Sequence, residues 1–289
     1  MPLDFVKDDE YLGVVGTVPK KLNFDVRFEP TKVTDKKYVI NNTTDEYLGV
    51  VGHSFTCASH PSFFDGVQEA MADTLEYSAL TDVQVDWKTA RNNTWGMMDV
   101  KLPNVTRTIS TDKHETMLVQ RVIALHAIDG SCSNQVYYGA IDTFCTNGMI
   151  TGDYDKVRRK NSSNFNMSRF IEELKSSTRN FYTQMDMFQQ WASVSTSNVD
   201  MKSMLESLMD SDRKAEKMFS LYNIETSKRG KNVFSLYSAF TNYSSYADER
   251  NGFSMRNTGN DTQAQTMWTR EQEVSKWVSS PQFKQLVAA

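Results

Sequence analysis

Hydrophobic and polar positions alternate with a period near two in the first half of the chain and recur with the helical period in the second. Residues 24–28, 38–41 and 82–87 carry short alternating or β-branched runs and are predicted strands. Residues 95–102 and 105–110 flank Pro103-Asn104 and read as a hairpin. The run 117–128 is apolar on both faces except at Gln120, Arg121 and His126, which predicts a central strand covered on both sides. Its expected neighbour is 134–145, reached through a turn around Asp129-Gly130-Ser131. One helix, 62–77, interrupts the strands, with Phe64, Val67, Met71 and Leu75 on one stripe.

After Gly152 the spacing changes. Phe170, Leu174, Phe181, Met185 and Phe188 predict one amphipathic helix over 168–192, with Ser168 as its N-cap. A second helix is predicted over 199–222 (Met201, Leu205, Leu208, Met218) and a third over 231–246 (Val233, Phe234, Tyr237, Phe240, Tyr243). Residues 248–263 are polar and read as a loop, and a last helix over 266–285 carries Trp268 and Trp277. The expected fold is α+β, an antiparallel-rich sheet in the N-terminal half with a helical C-terminal half packed on it. A β-rich region 1–152 with one helix and a helical region 153–289 are expected to form one continuous domain.

One repeat cuts across this pattern. Asp9-Glu10-Tyr11-Leu12-Gly13-Val14-Val15-Gly16 recurs letter for letter at Asp45-Glu46-Tyr47-Leu48-Gly49-Val50-Val51-Gly52. Tyr, Leu and paired Val suit a strand, and the glycines suit tight ends or close backbone approach. Two copies are too few for a solenoid. They read as a local duplication with a structural role, or as two equivalent strands or ligand loops. Gly16 and Gly52 sit in neither a G-x-G-x-x-G nor a Walker pattern, and no cofactor is expected.

Composition narrows the class. The 289 residues are 39% hydrophobic and 11% aromatic, enough for a core. A net charge of −4 provides no global field for nucleic acid, so such binding has to rest on a local stripe. The three cysteines, Cys57, Cys132 and Cys145, form no disulfide framework and are expected to be reduced thiols. The first ten residues lack the basic and apolar regions of a secretory signal, and no run approaches the roughly 18 apolar residues that span a bilayer. A cytoplasmic protein without a membrane partner is the expectation.

Candidate chemistry is sparse. His53, Cys57 and His60, with Cys132 or Cys145 as a distant fourth ligand, form only half of a zinc pattern, and no metal is expected. Ser131 and Cys132 lie near His126 and Asp129, but an Asp-Gly-Ser tight turn explains them without catalysis. Glu172-Glu173 reads as a solvated helix face. The best binding signal is 154–179. Lys156, Arg158, Arg159, Lys160, Arg169, Lys175 and Arg179 face four acids there, Asp153, Asp155, Glu172 and Glu173, with Tyr154, Phe165 and Phe170 interleaved. Cations that follow a phosphate backbone and aromatics on which bases stack are what single strands require, whereas the plainer reading is a charged linker into a helix.

Lys37-Tyr38-Val39-Ile40 followed by Tyr47-Leu48-Gly49-Val50-Val51-Gly52 resembles the opening of an uncharacterised family of phage- and plasmid-encoded proteins, domain of unknown function 932. Ile128-Asp129-Gly130-Ser131, Cys145-Thr146-Asn147-Gly148-Met149 and 232–243 fall in the family's order, so the resemblance covers most of 36–246. Gly49, Gly52, Asp129, Gly130, Cys145, Asn147 and Gly148 are the motif positions it implies. The chain departs from the family at Ile128 and Tyr246, where His is common, at Asp142, where Arg is, and at Phe234, where Trp is. The resemblance implies a mobile-element origin, most simply a bacteriophage, and an infected bacterial host. It supplies no activity.

The leading expectation is an accessory protein of phage DNA metabolism that binds single-stranded DNA without sequence specificity, and anneals strands as a homo-oligomer. Lys156, Arg158, Arg159, Lys160 and Arg169 would neutralise phosphates while Tyr154 and Phe165 stack bases. The rival is a non-enzymatic interaction or virion protein, which the acidic balance and the Met-rich helical half favour. A metal-dependent nucleic-acid enzyme with its site near Asp129 and Asp142 is a third reading, and no catalytic residue is assigned.

Overall fold

The computed structural model describes residues 4–8, 11–15, 18–143, 148–150, 156–162, 166–178, 181–245 and 260–288. Strand β1 (Asp4–Asp8) pairs antiparallel with β2 (Tyr11–Val15). Strands β3 (Val26–Pro30), β4 (Lys36–Asn41) and β5 (Tyr47–Gly52) form a separate three-stranded antiparallel sheet in that order. Both copies of the repeated octapeptide therefore form strands, and they lie in different sheets. Helix α1 (His60–Thr74) follows, started by Ser59, whose Oγ accepts from the Ser62 amide at 3.3 Å, with Pro61 in the first turn.

After a short 3-10 turn at Tyr77–Leu80 come β6 (Gln84–Ala90), β7 (Trp95–Ser110), β8 (Glu115–Ala127), β9 (Asn134–Asp142), β10 (Gly148–Ile150) and β11 (Lys156–Arg159). They form one six-stranded sheet in the order β10-β9-β8-β7-β6, with β11 also pairing β9. The hairpin expected at 95–110 is instead the single strand β7. Its Pro103 lies past Gln84↔Lys101, where the β6 ladder ends, so a missing amide hydrogen is tolerated. Asn104 is held in line rather than turned, its Nδ2 donating to the carbonyls of Ser78 and Thr81 at 3.1 and 3.0 Å.

The helices are α2 (Met167–Thr178), α3 (Phe181–Ser193), α4 (Met201–Leu208), α5 (Asp212–Arg229), α6 (Val233–Ser245), α7 (Asn260–Val278) and α8 (Pro281–Ala288). Three predicted helices are thus each two, and capping residues explain the breaks. Ser211 Oγ accepts from the Lys214 amide at 3.2 Å and starts α5 inside the predicted 199–222 helix. Ser280 Oγ accepts from Phe283 at 3.2 Å, and Pro281 opens α8. Asn166, not Ser168, caps α2, its Oδ1 accepting from Arg169 at 2.9 Å. Antiparallel sheets in the N-terminal half and helices in the C-terminal half make the fold α+β. Among the described residues, no helix is long and apolar enough to cross a membrane.

The chain forms two compact units. The first comprises Met1–Asn104, Arg121–Tyr138 and Lys156–Arg179, the second Val105–Gln120, Gly139–Asp155 and Asn180–Ala289. Phe63, Phe64, Val67 and Met71 of α1 are at the core of the first, joined by Phe170 and Leu174 of α2. Phe63 and Phe170 have ring centroids 5.7 Å apart, and Tyr138 Oη donates to the Leu174 carbonyl at 3.1 Å. In the second unit Phe188 stacks on Tyr237 at 5.0 Å and Trp191 meets Phe283 at 5.1 Å. Each such fully buried aromatic contributes about 2–3 kcal/mol of burial free energy.

Candidate functional site

The basic segment becomes the short strand β11 and the start of α2, within one unit. β11 runs antiparallel to β9, with Arg158 opposite Gln135 and Arg159 opposite Asn134. Arg158, Arg159, Lys160 and Arg169 are exposed. Arg158 is anchored by Nε donating to Ser133 Oγ at 2.7 Å. Glu173 draws two cations together, pairing with Arg159 and lying 3.6 Å from Arg169 Nε. Lys175 instead binds Asp73 at 2.9 Å and Glu172 at 3.0 Å, so Glu172 and Glu173 are both partly neutralised. Lys156 is opposite Tyr137 in the β11 register. Tyr154 and Phe165 lie outside the described residues.

A second cluster forms where two turns of the sheet meet β5. Arg91, Asn92 and Asn93, between β6 and β7, all have left-handed φ values of 53, 55 and 63°. For non-glycine residues that costs about 1–2 kcal/mol each, so the turn has to be held by its partners. Asp129 holds one end, accepting from Arg91 Nε at 2.7 Å, Thr94 Oγ1 at 3.0 Å and the Ser131 amide at 2.9 Å. Burial pushes the Asp129 carboxyl up, but the hydrogen bonds from Ser131, Arg91 and Thr94 outweigh it and hold the group below its ordinary range. Gly130 next to it has φ +77, a conformation that needs glycine. A Cβ at Gly49 would lie 3.5 Å from Asp129 Cβ, and one at Gly130 would lie 3.4 Å from Val51 Cγ1. Gly52 has open space around it. Both Asp129 oxygens accept hydrogen bonds, which ties the carboxylate to both turns.

His60, at the start of α1, and His126, on β8, are fully buried with Nδ1 atoms 2.8 Å apart. His60 Nε2 lies 3.1 Å from the Asn93 carbonyl, which can only accept, so Nε2 carries the proton. Nδ1 of His60 then accepts from Nδ1 of His126, leaving His126 Nε2 as a buried acceptor with no partner among the described residues. Burial lowers His60 to about 4 and, with the neighbouring His60, lowers His126 well below its ordinary value. His126 stacks on Phe63 at 4.8 Å and has no bond to Ser131 or Cys132, so the residues of a nucleophilic triad are not brought together. Cys57 and Cys132 are pushed up to about 12, the first by burial and the second by burial and the Asp129 charge. His53 is exposed and both His60 nitrogens are used, and among the described residues no group of three His, Cys, Asp or Glu could hold a metal ion.

Residues 47–283 match the pattern of a domain of unknown function, DUF932. The chain belongs to this family. No curated protein and no solved structure matches it. Of the positions that the resemblance singles out, Gly49, Asp129 and Gly130 meet at the corner just described, while Gly52 ends β5 with open space around it. Gly148 opens β10 opposite Ile141, in the other unit, while Cys145 and Asn147 lie outside the described residues. Asp142 and Asp129 fall in different units. Asp142 is fully buried and pairs with Arg229, which also pairs with buried Glu225 and donates to Thr116 Oγ1 at 3.3 Å. Ile128 and Phe234 are both fully buried. The His60–His126 contact escaped the sequence reading, since 66 residues separate the two rings.

Proposed function

We propose that this DUF932 protein binds single-stranded DNA without sequence specificity, through β11 and the first turn of α2, and serves strand annealing in the DNA metabolism of a bacteriophage. What carries the reading is the grouping of Arg158, Arg159, Lys160 and Arg169 as exposed cations in one unit. A chain with net charge −4 that exposes Arg158 and Arg159 on β11, Lys160 just after it and Arg169 in the first turn of α2 offers local positive charge that its overall balance lacks. Arg158, fixed by Ser133, would present its remaining guanidinium edge to a phosphate in a set geometry. Glu173 would release Arg159 and Arg169 when a phosphate competes for them, since such exposed pairs are worth only about 0–1 kcal/mol.

The test is a fluorescence-anisotropy titration of a labelled single-stranded oligonucleotide at low and physiological salt. Binding is expected to weaken steeply with salt. The double reversal Arg158→Glu, Arg159→Glu should weaken it further and flatten the logarithmic salt slope by about 1.4, at about 0.7 for each phosphate that is no longer neutralised. Absence of binding at low salt, or an unchanged slope in the double variant, removes the assignment. A protein partner recovered from infected cells would then be the next object of search.

A further inference from the structure

Four buried polar atoms in the first unit have no hydrogen-bond partner among the described residues. They are His126 Nε2, Asn161 Oδ1, and both Oδ1 and Nδ2 of Asn134. The three side chains converge on the turn between β8 and β9. His126 is next to last on β8, and Asn134 opens β9. Asn161 reaches the same turn, its Nδ2 donating to the carbonyls of Ala127 at 2.9 Å and Cys132 at 3.4 Å. It lies just past Arg159, which stands opposite Asn134 where β11 pairs β9.

One helix layer closes over them. His126 stacks on Phe63 of α1, and Phe63 meets Phe170 of α2. Tyr138 shares a face of β9 with Asn134 and donates to the Leu174 carbonyl of α2 at 3.1 Å. His126 and Asn134 therefore look toward the same helices and are shut off from solvent. Leaving such groups unpaired in an interior is strongly unfavourable, and native proteins hold few of them.

Bonds already made fix what an occupant has to supply. Asn161 Oδ1 can only accept, and the contact with His60 leaves His126 Nε2 an acceptor as well. Asn134 adds an oxygen that accepts and an NH2 that donates. The occupant therefore donates and accepts at once. It is also neutral, because an imidazole and two amides offer no charge against which a buried ion could be desolvated. Water meets these conditions, and a buried water typically makes about three hydrogen bonds.

We propose that a pair of ordered waters binds among His126, Asn134 and Asn161. The first donates to His126 Nε2 and Asn161 Oδ1 and accepts from Asn134 Nδ2. The second donates to Asn134 Oδ1 and to the first. Together they join β8, β9 and the segment after β11 beneath α1 and α2. They fix where the chain leaves β11, immediately past Arg158, Arg159 and Lys160.

The experiment uses the full-length chain and water itself as the probe. Nuclear magnetic resonance should show cross-relaxation between water and the Asn134 side-chain amide protons. Its sign should be opposite in the laboratory and rotating frames, as for a long-lived bound water. No signal there, or the equal signs of simple proton exchange, refutes the site. Asn134→Leu tests it by the direction of a change. With waters bound, the apolar side chain strands His126 Nε2 and Asn161 Oδ1, and the urea midpoint falls. In a dry site the same change removes two unpaired atoms, so a midpoint that rises or stays in place overturns the proposal. Should Asn134→Leu fail to fold, the measurement on the wild-type chain decides. A small molecule other than water that stays bound in native mass spectrometry and is lost in Asn134→Leu overturns the water assignment.

Discussion

Replacing His60 by Gln tests whether the buried imidazole pair is neutral. In the first unit His60 donates through Nε2 to the Asn93 carbonyl and accepts through Nδ1 from His126. A Gln side chain has an amide NH2 that donates and a carbonyl that accepts, so it can serve both partners without titrating. Burial lowers His60 from its ordinary 6.5 to about 4. At about 1.4 kcal/mol per tenfold change in proton affinity, the site favours the neutral ring by about 3 kcal/mol. The unfolded chain takes up its proton near 6.5 and the folded one only near 4. This stability is therefore complete above 6.5 and is lost as the pH falls through that window. Urea unfolding followed by tryptophan fluorescence at about pH 7.5, 6.5, 5.5, 4.5 and 4 reads the effect. His60→Gln should lie within about 1 kcal/mol of wild type at pH 7.5. It should also lose about 3 kcal/mol less than wild type on acidification to about pH 4. Equal acid losses in the two proteins would show that the ring is not held neutral, and would refute the proton assignment with it.

The second unit should respond to pH in the opposite sense. Burial raises Glu225 above its ordinary 4.5, so stability falls as the pH rises from there toward the folded value, and Glu225→Gln should abolish that slope in the same unfolding series. Arg229→Met leaves Asp142 and Glu225 buried without their guanidinium and should cost about 3–5 kcal/mol, a loss under 1 kcal/mol showing that the cluster is not holding the unit. Asp129→Ala strips the acceptor from Ser131, Arg91 and Thr94 and should cost about 2–4 kcal/mol. It should also raise amide exchange at 91–94 more than elsewhere, and uniform exchange would deny Asp129 its grip on the left-handed turn.

Periodicity carried the sequence reading furthest where one face of an element is buried. The run 117–128 was legible as a central strand because β8 is covered along nearly its whole length, and its three polar exceptions each mark a particular environment. Arg121 forms two bonds to Asp99, at 2.8 and 2.7 Å, and His126 meets His60. Gln120 is buried with neither side-chain atom partnered among the described residues. Helix breaks were less legible, because Ser211 and Ser280 act through single hydrogen bonds to the backbone that leave the hydrophobic stripe almost undisturbed. Pro103-Asn104 misled for a related reason. Whether a proline ends a strand depends on whether its neighbour still pairs there, and the end of β6 is set by the fold rather than by residues near Pro103.

The exposed cations were legible as a run of Lys and Arg, but their acidic partners were not, since Arg159 and Arg169 converge on Glu173 only once β11 lies beside α2. The motif residues carry the converse lesson. Asp129 and Gly130 read as part of a tight turn, and the Asp129 side chain meets turn donors on one side and β5 on the other. Gly49 is glycine where β5 approaches that turn. In this chain Asp129 and Gly130 thus hold two turns against β5, one of the two strands formed by the repeated octapeptide. The exposed cations of β11 are the proposed phosphate contacts, and Arg158→Glu, Arg159→Glu tests them while leaving Asp129 and β5 untouched.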